Sequence, residues 1–147
     1  MEDIIKEKTS ADHLLYVSLK YTKTCDVILN LIARWKSMIE LSFDKVIERG
    51  FEDKKIPSKP KSPKERIEFV KKYFKKSPSI QNILPLYTFF KRIPELNKTR
   101  EGEFRKNVTL KIIEPGNNTE INMELLTEYS KKVDEFIIEI RRLLQST

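Results

Sequence analysis

The stretch from Ala11 to Gly50, ADHLLYVSLKYTKTCDVILNLIARWKSMIELSFDKVIERG, contains no proline and no glycine before its last position. Within it, apolar residues recur every three or four positions, which is the period of an α-helix. They are Leu14, Val17, Tyr21, Cys25, Ile28, Ile32, Trp35 and Ile39. We predict one helix over about residues 11–49, capped by Thr9 or Ser10 and closed by Gly50 in a left-handed conformation. A break near Asn30 is the main alternative.

The length of this helix constrains the rest of the fold. A helix over residues 11–49 would span roughly 58 Å at 1.5 Å per residue. Its apolar stripe then needs either other helices lying antiparallel along it or a second copy of the chain. The stripe therefore predicts a helical bundle and favours a homodimer.

The middle of the chain carries two helix-start signals. Residues 50–62 are interpreted as a basic linker, after which SPKE at residues 62–65 combines a capping serine, a first-turn proline and a capping-box glutamate. The Ser-Pro pair at residues 77–78 repeats the signal and predicts a third helix, which Pro85 should kink or split. Residues 83–90 are the most apolar segment, and we interpret them as central core.

In the C-terminal third, apolar residues follow the spacing of a strand in one part and that of a helix in another. Residues 95–107 are polar and could form a short helix, whereas apolar and polar residues alternate after them, which predicts a β-hairpin over about residues 108–121. Asn122 then caps a final amphipathic helix. The predicted fold is all-α, a bundle of four to five helices with one long N-terminal helix and this small hairpin. It forms a single domain over residues 1–147.

Composition excludes several classes of protein. The single cysteine, Cys25, cannot form an intramolecular disulfide, which favours a reducing compartment. No apolar run approaches the roughly 18 residues that a membrane span requires, so we expect a cytoplasmic protein without a membrane partner. One histidine and one cysteine are too few nitrogen and sulfur ligands for a metal site, and no motif indicates a cofactor.

The net charge of +7 is concentrated in two segments. Residues 50–76 carry ten basic and four acidic side chains, residues 91–111 carry seven and three, and residues 112–147 are net acidic. Such an excess suits RNA or an acidic protein partner, with a soluble charged coat as the alternative interpretation. The candidate nucleic-acid-binding residues are Lys59, Lys61, Lys64, Lys71, Lys72, Arg100, Arg105 and Lys106.

Candidate catalytic residues are few. The segment TREGEFRKN at residues 99–107 combines arginines, which bind phosphate bidentately, with a glutamate. The alternative interpretation is a solvated connector. His13 follows Asp12, but adjacent helical positions point about 100° apart, so we expect a surface histidine. The candidates are Arg100, Glu103, Asn107 and His13, whereas Cys25 and Trp35 are expected in the core.

The order of a long helical N-terminal unit, a basic linker, further helices and a polar arginine-containing segment resembles the HEPN superfamily and small archaeal helical proteins with no assigned activity. The resemblance implies a compact, commonly dimeric helical domain, and many members are metal-independent RNases or parts of toxin–antitoxin and other defence systems. The family motif is an arginine, a polar residue and, after several residues, a histidine. It would begin at Arg100 and Glu101, with Asn107 in place of the histidine. Because asparagine cannot exchange a proton at neutral pH, the resemblance implies a binding-only member unless His13 supplies the proton.

Three functions compete on this evidence. The first is a non-catalytic, homodimeric helical module that binds RNA or an RNA-associated partner through the two basic segments. The second is a metal-independent RNase that uses Arg100, Glu103 and His13. The third is a dimeric scaffold joined along the N-terminal helix. The first and third are compatible, and together they fit the sequence better than an enzyme does.

Overall fold

The computed structural model describes residues 1–145. It is mostly helical with a small three-stranded antiparallel sheet, as expected in outline from the sequence. The helices are α1 (Glu2–His13), α2 (Leu19–Tyr21), α3 (Cys25–Glu52), α4 (Pro63–Tyr73), α5 (Pro78–Arg92) and α6 (Met123–Gln145). A π-helical turn (Leu14–Ser18) joins α1 to α2, and a 3₁₀ turn (Ile93–Glu95) follows α5. The strands are β1 (Asn97–Glu101), β2 (Thr109–Ile113) and β3 (Thr119–Ile121).

The predicted single helix over residues 11–49 is wrong, because the chain turns at residues 22–24. Helical structure begins at Glu2, so Thr9 and Ser10 lie inside α1 and cap nothing. The N-cap of α3 is Thr24, whose side chain accepts a hydrogen bond from the N–H of Val27. The alternative, a break near Asn30, is also wrong, because Asn30 lies within α3. Because of the turn, α1 folds back against α3 and covers part of its apolar stripe.

The prediction that Gly50 closes the helix in a left-handed conformation is wrong. Gly50 lies inside α3, and the residue with positive φ beyond the helix is Lys54, at 59°. A Cβ atom at Gly50 would lie 2.6 Å from Cδ1 of Ile56, so a larger residue there would have to displace the end of this side chain. Ile56 is buried, so the predicted linker is anchored to the body of the protein near its middle.

Both Ser-Pro helix starts are confirmed. Ser62 accepts from the N–H of Glu65, whose carboxylate in turn accepts from the backbone N–H of Lys61. Ser77 is the N-cap of α5, although its hydroxyl makes no capping hydrogen bond. Pro85 does not split α5, which runs unbroken from Pro78 to Arg92.

The predicted hairpin is confirmed as β2 and β3, with Leu110 paired with Ile121. The short helix suggested for residues 95–107 is wrong, because residues 97–101 form β1, which pairs antiparallel with β2. Strand β1 lies at the edge of the sheet and is mostly exposed, so it lacks the apolar alternation that marks a half-buried strand. Its charged side chains suit an edge that must not pair with another chain.

One hydrophobic core joins the helices to the sheet. Trp35 of α3 stacks on Phe90 of α5 at 6.0 Å between ring centroids, and Tyr129 of α6 meets both rings edge-on. The predicted core segment over residues 83–90 is largely buried, as are Cys25 and Trp35. Since α1, α5 and α6 all pack on α3, its stripe is covered without a second copy. No helix within residues 1–145 combines the length and apolarity that crossing a bilayer demands.

Candidate nucleic-acid interface

The first basic segment folds into a surface of free cations. Nine of its lysines are exposed, and none lies within ion-pair distance of a carboxylate in the part of the chain that the structure describes. We call these residues the lysine surface. They are Lys54, Lys55, Lys59, Lys61, Lys64, Lys71, Lys72, Lys75 and Lys76. All five lysines that the sequence analysis selected belong to this surface.

An aromatic cluster at the end of α4 lies among these lysines. Phe69 stacks on Tyr73 at 5.1 Å between ring centroids, and Tyr73 meets Phe74 edge-on at 5.0 Å. Tyr73 is 43% exposed, so part of its ring faces solvent. The sequence KKYFKK at residues 71–76 therefore presents aromatic rings between pairs of cations, and no acidic residue occurs over residues 69–94.

Three surface cavities surround this aromatic cluster. One of about 460 Å³ is lined by Phe69 together with Lys59, Lys61 and Lys72, and also by the acidic residues Glu65 and Glu68. A second of about 360 Å³ is lined by Tyr73 and Phe74 together with Lys75 and Lys76, and a third of about 290 Å³ adds Lys55 to the same two rings. Lysines from the loop after α3, from α4 and from the turn before α5 thus line cavities beside the same aromatic cluster.

Arg66 holds α4 in position, which is why it does not belong to the free surface. Its guanidinium lies 2.8 Å from Asp44 and 3.8 Å from Glu40, both on α3. Glu40 also accepts a 2.7 Å hydrogen bond from the hydroxyl of Tyr87. Burial and the Glu40 carboxylate raise the pKa of Tyr87 to about 12, so this hydroxyl stays protonated and donates.

The second basic segment is largely neutralised. Four of the seven basic residues over 91–111 have partners within the fold. Arg92 pairs with Glu114, Arg100 with Asp26 and Lys111 with Glu101 and Glu120, while Lys98 donates to three backbone carbonyls. All three candidates in this segment are exposed, but Arg100 is paired with Asp26, whereas Arg105 and Lys106 form no ion pair among the described residues.

The two basic segments lie at opposite ends of α3. Glu103, beside Arg105, contacts Cys25 at the first residue of α3, whereas Lys55 shares a cavity with Arg49 in its last turns. A helix of 28 residues is roughly 40 Å long. The lysine surface and the Arg105 region therefore cannot form one compact site.

Arg100 and Glu103 are arranged as structural residues. The guanidinium of Arg100 lies 2.7 Å from Asp26 and 3.7 Å from Glu103, and the Asp26 carboxylate raises its pKa further. Glu103 accepts a 3.1 Å hydrogen bond from the backbone N–H of Cys25. This contact satisfies an N–H at the start of α3 and places negative charge at the positive end of the helix dipole.

Asn107 and His13 do not complete a catalytic group with them. The backbone carbonyl of Asn107 accepts from the hydroxyl of Thr109 and packs against Gly102. His13 is exposed on α1, where its Nδ1 lies 3.5 Å from the Ser18 hydroxyl. Among the described residues, His13 has no contact with Arg100, Glu103 or Asn107, and Asp12 pairs with Lys8 instead.

Cys25 is not arranged as a nucleophile. Burial, reinforced by the charge of Glu103, raises the pKa of its thiol to about 11, and the Sγ atom donates to the carbonyl of Thr109. A protonated, buried thiol is unreactive at neutral pH. Over residues 1–145, no group of three or more His, Cys, Asp or Glu residues is arranged to hold a metal ion.

Sequence reasoning missed several members of the candidate interface. The charge of residues 50–76 was recognised, but Lys54, Lys55, Lys75, Lys76 and Tyr73 were not selected as binding residues. The alternation of aromatic and basic residues in KKYFKK was the available signal. No protein-family model, curated protein or solved structure matches this chain.

Proposed function

We propose that this protein is a non-catalytic helical module that binds RNA through the lysine surface. The observation that carries the proposal is the contrast in pairing between the two basic segments. Nine exposed lysines lack a carboxylate partner within residues 1–145, whereas most cations of residues 91–111 are engaged within the fold. Because counterions condense on RNA phosphates, a lysine without a carboxylate partner that binds a phosphate releases them to solvent, which favours association.

The aromatic cluster gives the lysine surface a second kind of contact. The partly exposed ring of Tyr73 lies between Lys72 and Lys75 in a turn that borders two cavities. Bases of an unpaired strand stack on such rings while the neighbouring cations bind phosphates. An acidic protein is the alternative partner for the same lysines, and it would not require the ring.

Catalysis and dimerisation are not needed by this proposal. An HEPN-type RNase would require a free Arg100, whereas its guanidinium pairs with Asp26 and Glu103. The apolar stripe that favours a homodimer and a scaffold is covered on α3 by α1, α5 and α6 within one chain, so the resemblance to HEPN proteins is the remaining argument for a dimer. The resemblance to HEPN proteins accordingly supports a binding-only member.

The test is fluorescence anisotropy of a labelled RNA oligonucleotide in a salt series from about 50 to 300 mM. The variant Lys71→Glu/Lys72→Glu removes two free lysines of the surface. The matched control Lys131→Glu/Lys132→Glu makes the same change in net charge at two exposed lysines of α6. The wild type should lose affinity steeply with salt, and the first variant should bind at least about tenfold more weakly with a shallower slope.

The control should bind within about twofold of the wild type, since Lys131 and Lys132 lie on α6, outside the lysine surface. An equal loss of RNA affinity in both variants would show that binding depends on the net charge of the protein and not on the lysine surface. Failure of the wild type to bind at about 50 mM salt would reject the function itself. Two results together would favour the acidic protein partner. Polyglutamate would displace the RNA from the wild type, and replacing Tyr73 by leucine would leave the RNA affinity unchanged.

A further inference from the structure

Phe104 is presented to solvent in an unusual way. It is 77% exposed, and its φ of 67° lies in the left-handed region that bulky side chains avoid. The only other non-glycine residue with positive φ among the described residues is Lys54. A large aromatic ring that is both strained and exposed contributes little to the folded core.

The backbone around Phe104 is held firmly. Its own N–H donates to the carbonyl of Lys23 at 2.7 Å, and Arg105 donates back to the carbonyl of Gly102. Val108 donates to the carbonyl of Arg105, and the Glu103 carboxylate binds the start of α3. The ring therefore projects from an ordered turn, so this part of the protein loses little conformational entropy when a partner binds.

The charges next to the ring are positive and unpaired. Arg105 and Lys106 follow Phe104 directly, are exposed and form no ion pair with residues 1–145, whereas the nearby carboxylates Asp26 and Glu103 are occupied by Arg100. The chain segment that binds the Phe104 N–H also carries Tyr21, likewise 77% exposed. Aromatic rings beside free cations are the combination that unpaired nucleotides require, because bases stack and phosphates bind.

We propose that the turn around Phe104 is a second RNA contact, at which an unpaired base stacks on the Phe104 ring while Arg105 and Lys106 bind the flanking phosphates. This inference rests on the proposed RNA-binding function and adds that the preferred RNA is single-stranded. Because this contact and the lysine surface lie at opposite ends of α3, one strand reaches both only by running along roughly 40 Å of the protein. Paired bases in a duplex would leave no face for the ring.

The test compares a single-stranded RNA with a duplex of the same sequence, using the wild type and the variant Phe104→Gly. Glycine accepts the positive φ, so this variant should fold at least as stably as the wild type while lacking the ring. We expect its affinity for the single strand to fall by at least about fivefold and its affinity for the duplex to stay within about twofold. The salt slope should be unchanged, because no phosphate contact is removed.

The control variant Ile138→Ala removes an apolar side chain that is 69% exposed on α6 and should bind both RNAs as the wild type does. Unchanged single-strand affinity in Phe104→Gly would overturn this inference and leave the lysine surface intact. An equal loss for single strand and duplex would also overturn it, since stacking requires an unpaired base. Absence of RNA binding by the wild type would instead remove the proposed function, and this inference with it.

Discussion

The carboxylate of Glu103 accepts a hydrogen bond from the backbone N–H of Cys25 at 3.1 Å, joining residues that lie 78 positions apart. This contact ties the turn after β1 to the first residue of α3. The same turn binds the carbonyl of Lys23 through the Phe104 N–H. The residues that looked most catalytic in the sequence therefore anchor the sheet to the start of the longest helix.

Replacing Glu103 by alanine should lower the free energy of unfolding by about 1–2 kcal/mol, because the Cys25 N–H loses its partner and the helix dipole loses a counter-charge. The control Glu101→Ala removes a more exposed carboxylate that pairs with Lys111, and should cost less than about 1 kcal/mol. Urea denaturation measures both values. Equal costs would show that Glu103 is not the anchor described above.

The two Ser-Pro helix starts make a matched pair. Ser62→Ala should destabilise the protein by about 1 kcal/mol, because the hydroxyl of Ser62 caps the Glu65 N–H. Ser77→Ala should be close to neutral or stabilising, since the Ser77 hydroxyl is buried and finds no hydrogen-bond partner in the described part of the chain. Thermal denaturation of the two variants should reproduce this order, and the reverse order would contradict the capping geometry.

Two glycines with positive φ provide a second pair. Gly102 and Gly116 have φ values of 63° and 76°. A Cβ atom at Gly102 would lie 2.7 Å from the carbonyl oxygen of Asn107, whereas one at Gly116 would meet nothing within 4 Å. Gly116→Ala should therefore cost about 1 kcal/mol from backbone strain alone. Gly102→Ala should cost clearly more in chemical denaturation, and similar costs would show that the turn relaxes freely.

Alkaline pH should weaken the fold partly through Cys25. Burial raises the pKa of its thiol from 9.0 to about 11, so the folded state retains a proton that the unfolded state releases. The stability that the protonated thiol contributes is complete below pH 9.0 and is lost as pH rises through about 11. The stability difference between the wild type and Cys25→Ala should therefore shrink from pH 8 to pH 10 in urea titrations. A difference independent of pH would contradict the assigned pKa shift.

The two arginines near the Phe104 turn should respond differently in RNA binding. Arg100→Ala should leave affinity within about twofold of the wild type, because Asp26 and Glu103 already neutralise this guanidinium. Arg105→Ala should weaken single-strand binding and reduce the salt slope by about one, as expected for one lost phosphate contact. The measurement is the anisotropy salt series with a parallel gel for cleavage. Cleavage by the wild type that Arg100→Ala abolishes would support the RNase instead.

Signals that lie within a few residues of one another were readable from the sequence. The capping box at Ser62, the cap at Asn122 and the alternation in β2 were all predicted, and each is confirmed. The turn before α3 was missed because it contains neither glycine nor proline. The residue that marks this turn is Thr24, whose hydroxyl caps α3. The apolar spacing continues unbroken across the turn and therefore does not reveal it.

The charged residues show the same contrast between what neighbouring residues determine and what the fold determines. The sequence alone determined a mostly helical chain with a small hairpin and two basic segments, because helical period, capping and net charge depend on neighbouring residues. Only the tertiary structure decided which cations are free. Arg100 meets Asp26, and Lys111 meets Glu120, only after the chain folds back on itself, whereas no carboxylate reaches Lys71 or Lys72 among the described residues. Ion pairing falls off within a few ångströms, so it depends on which segments the fold brings together.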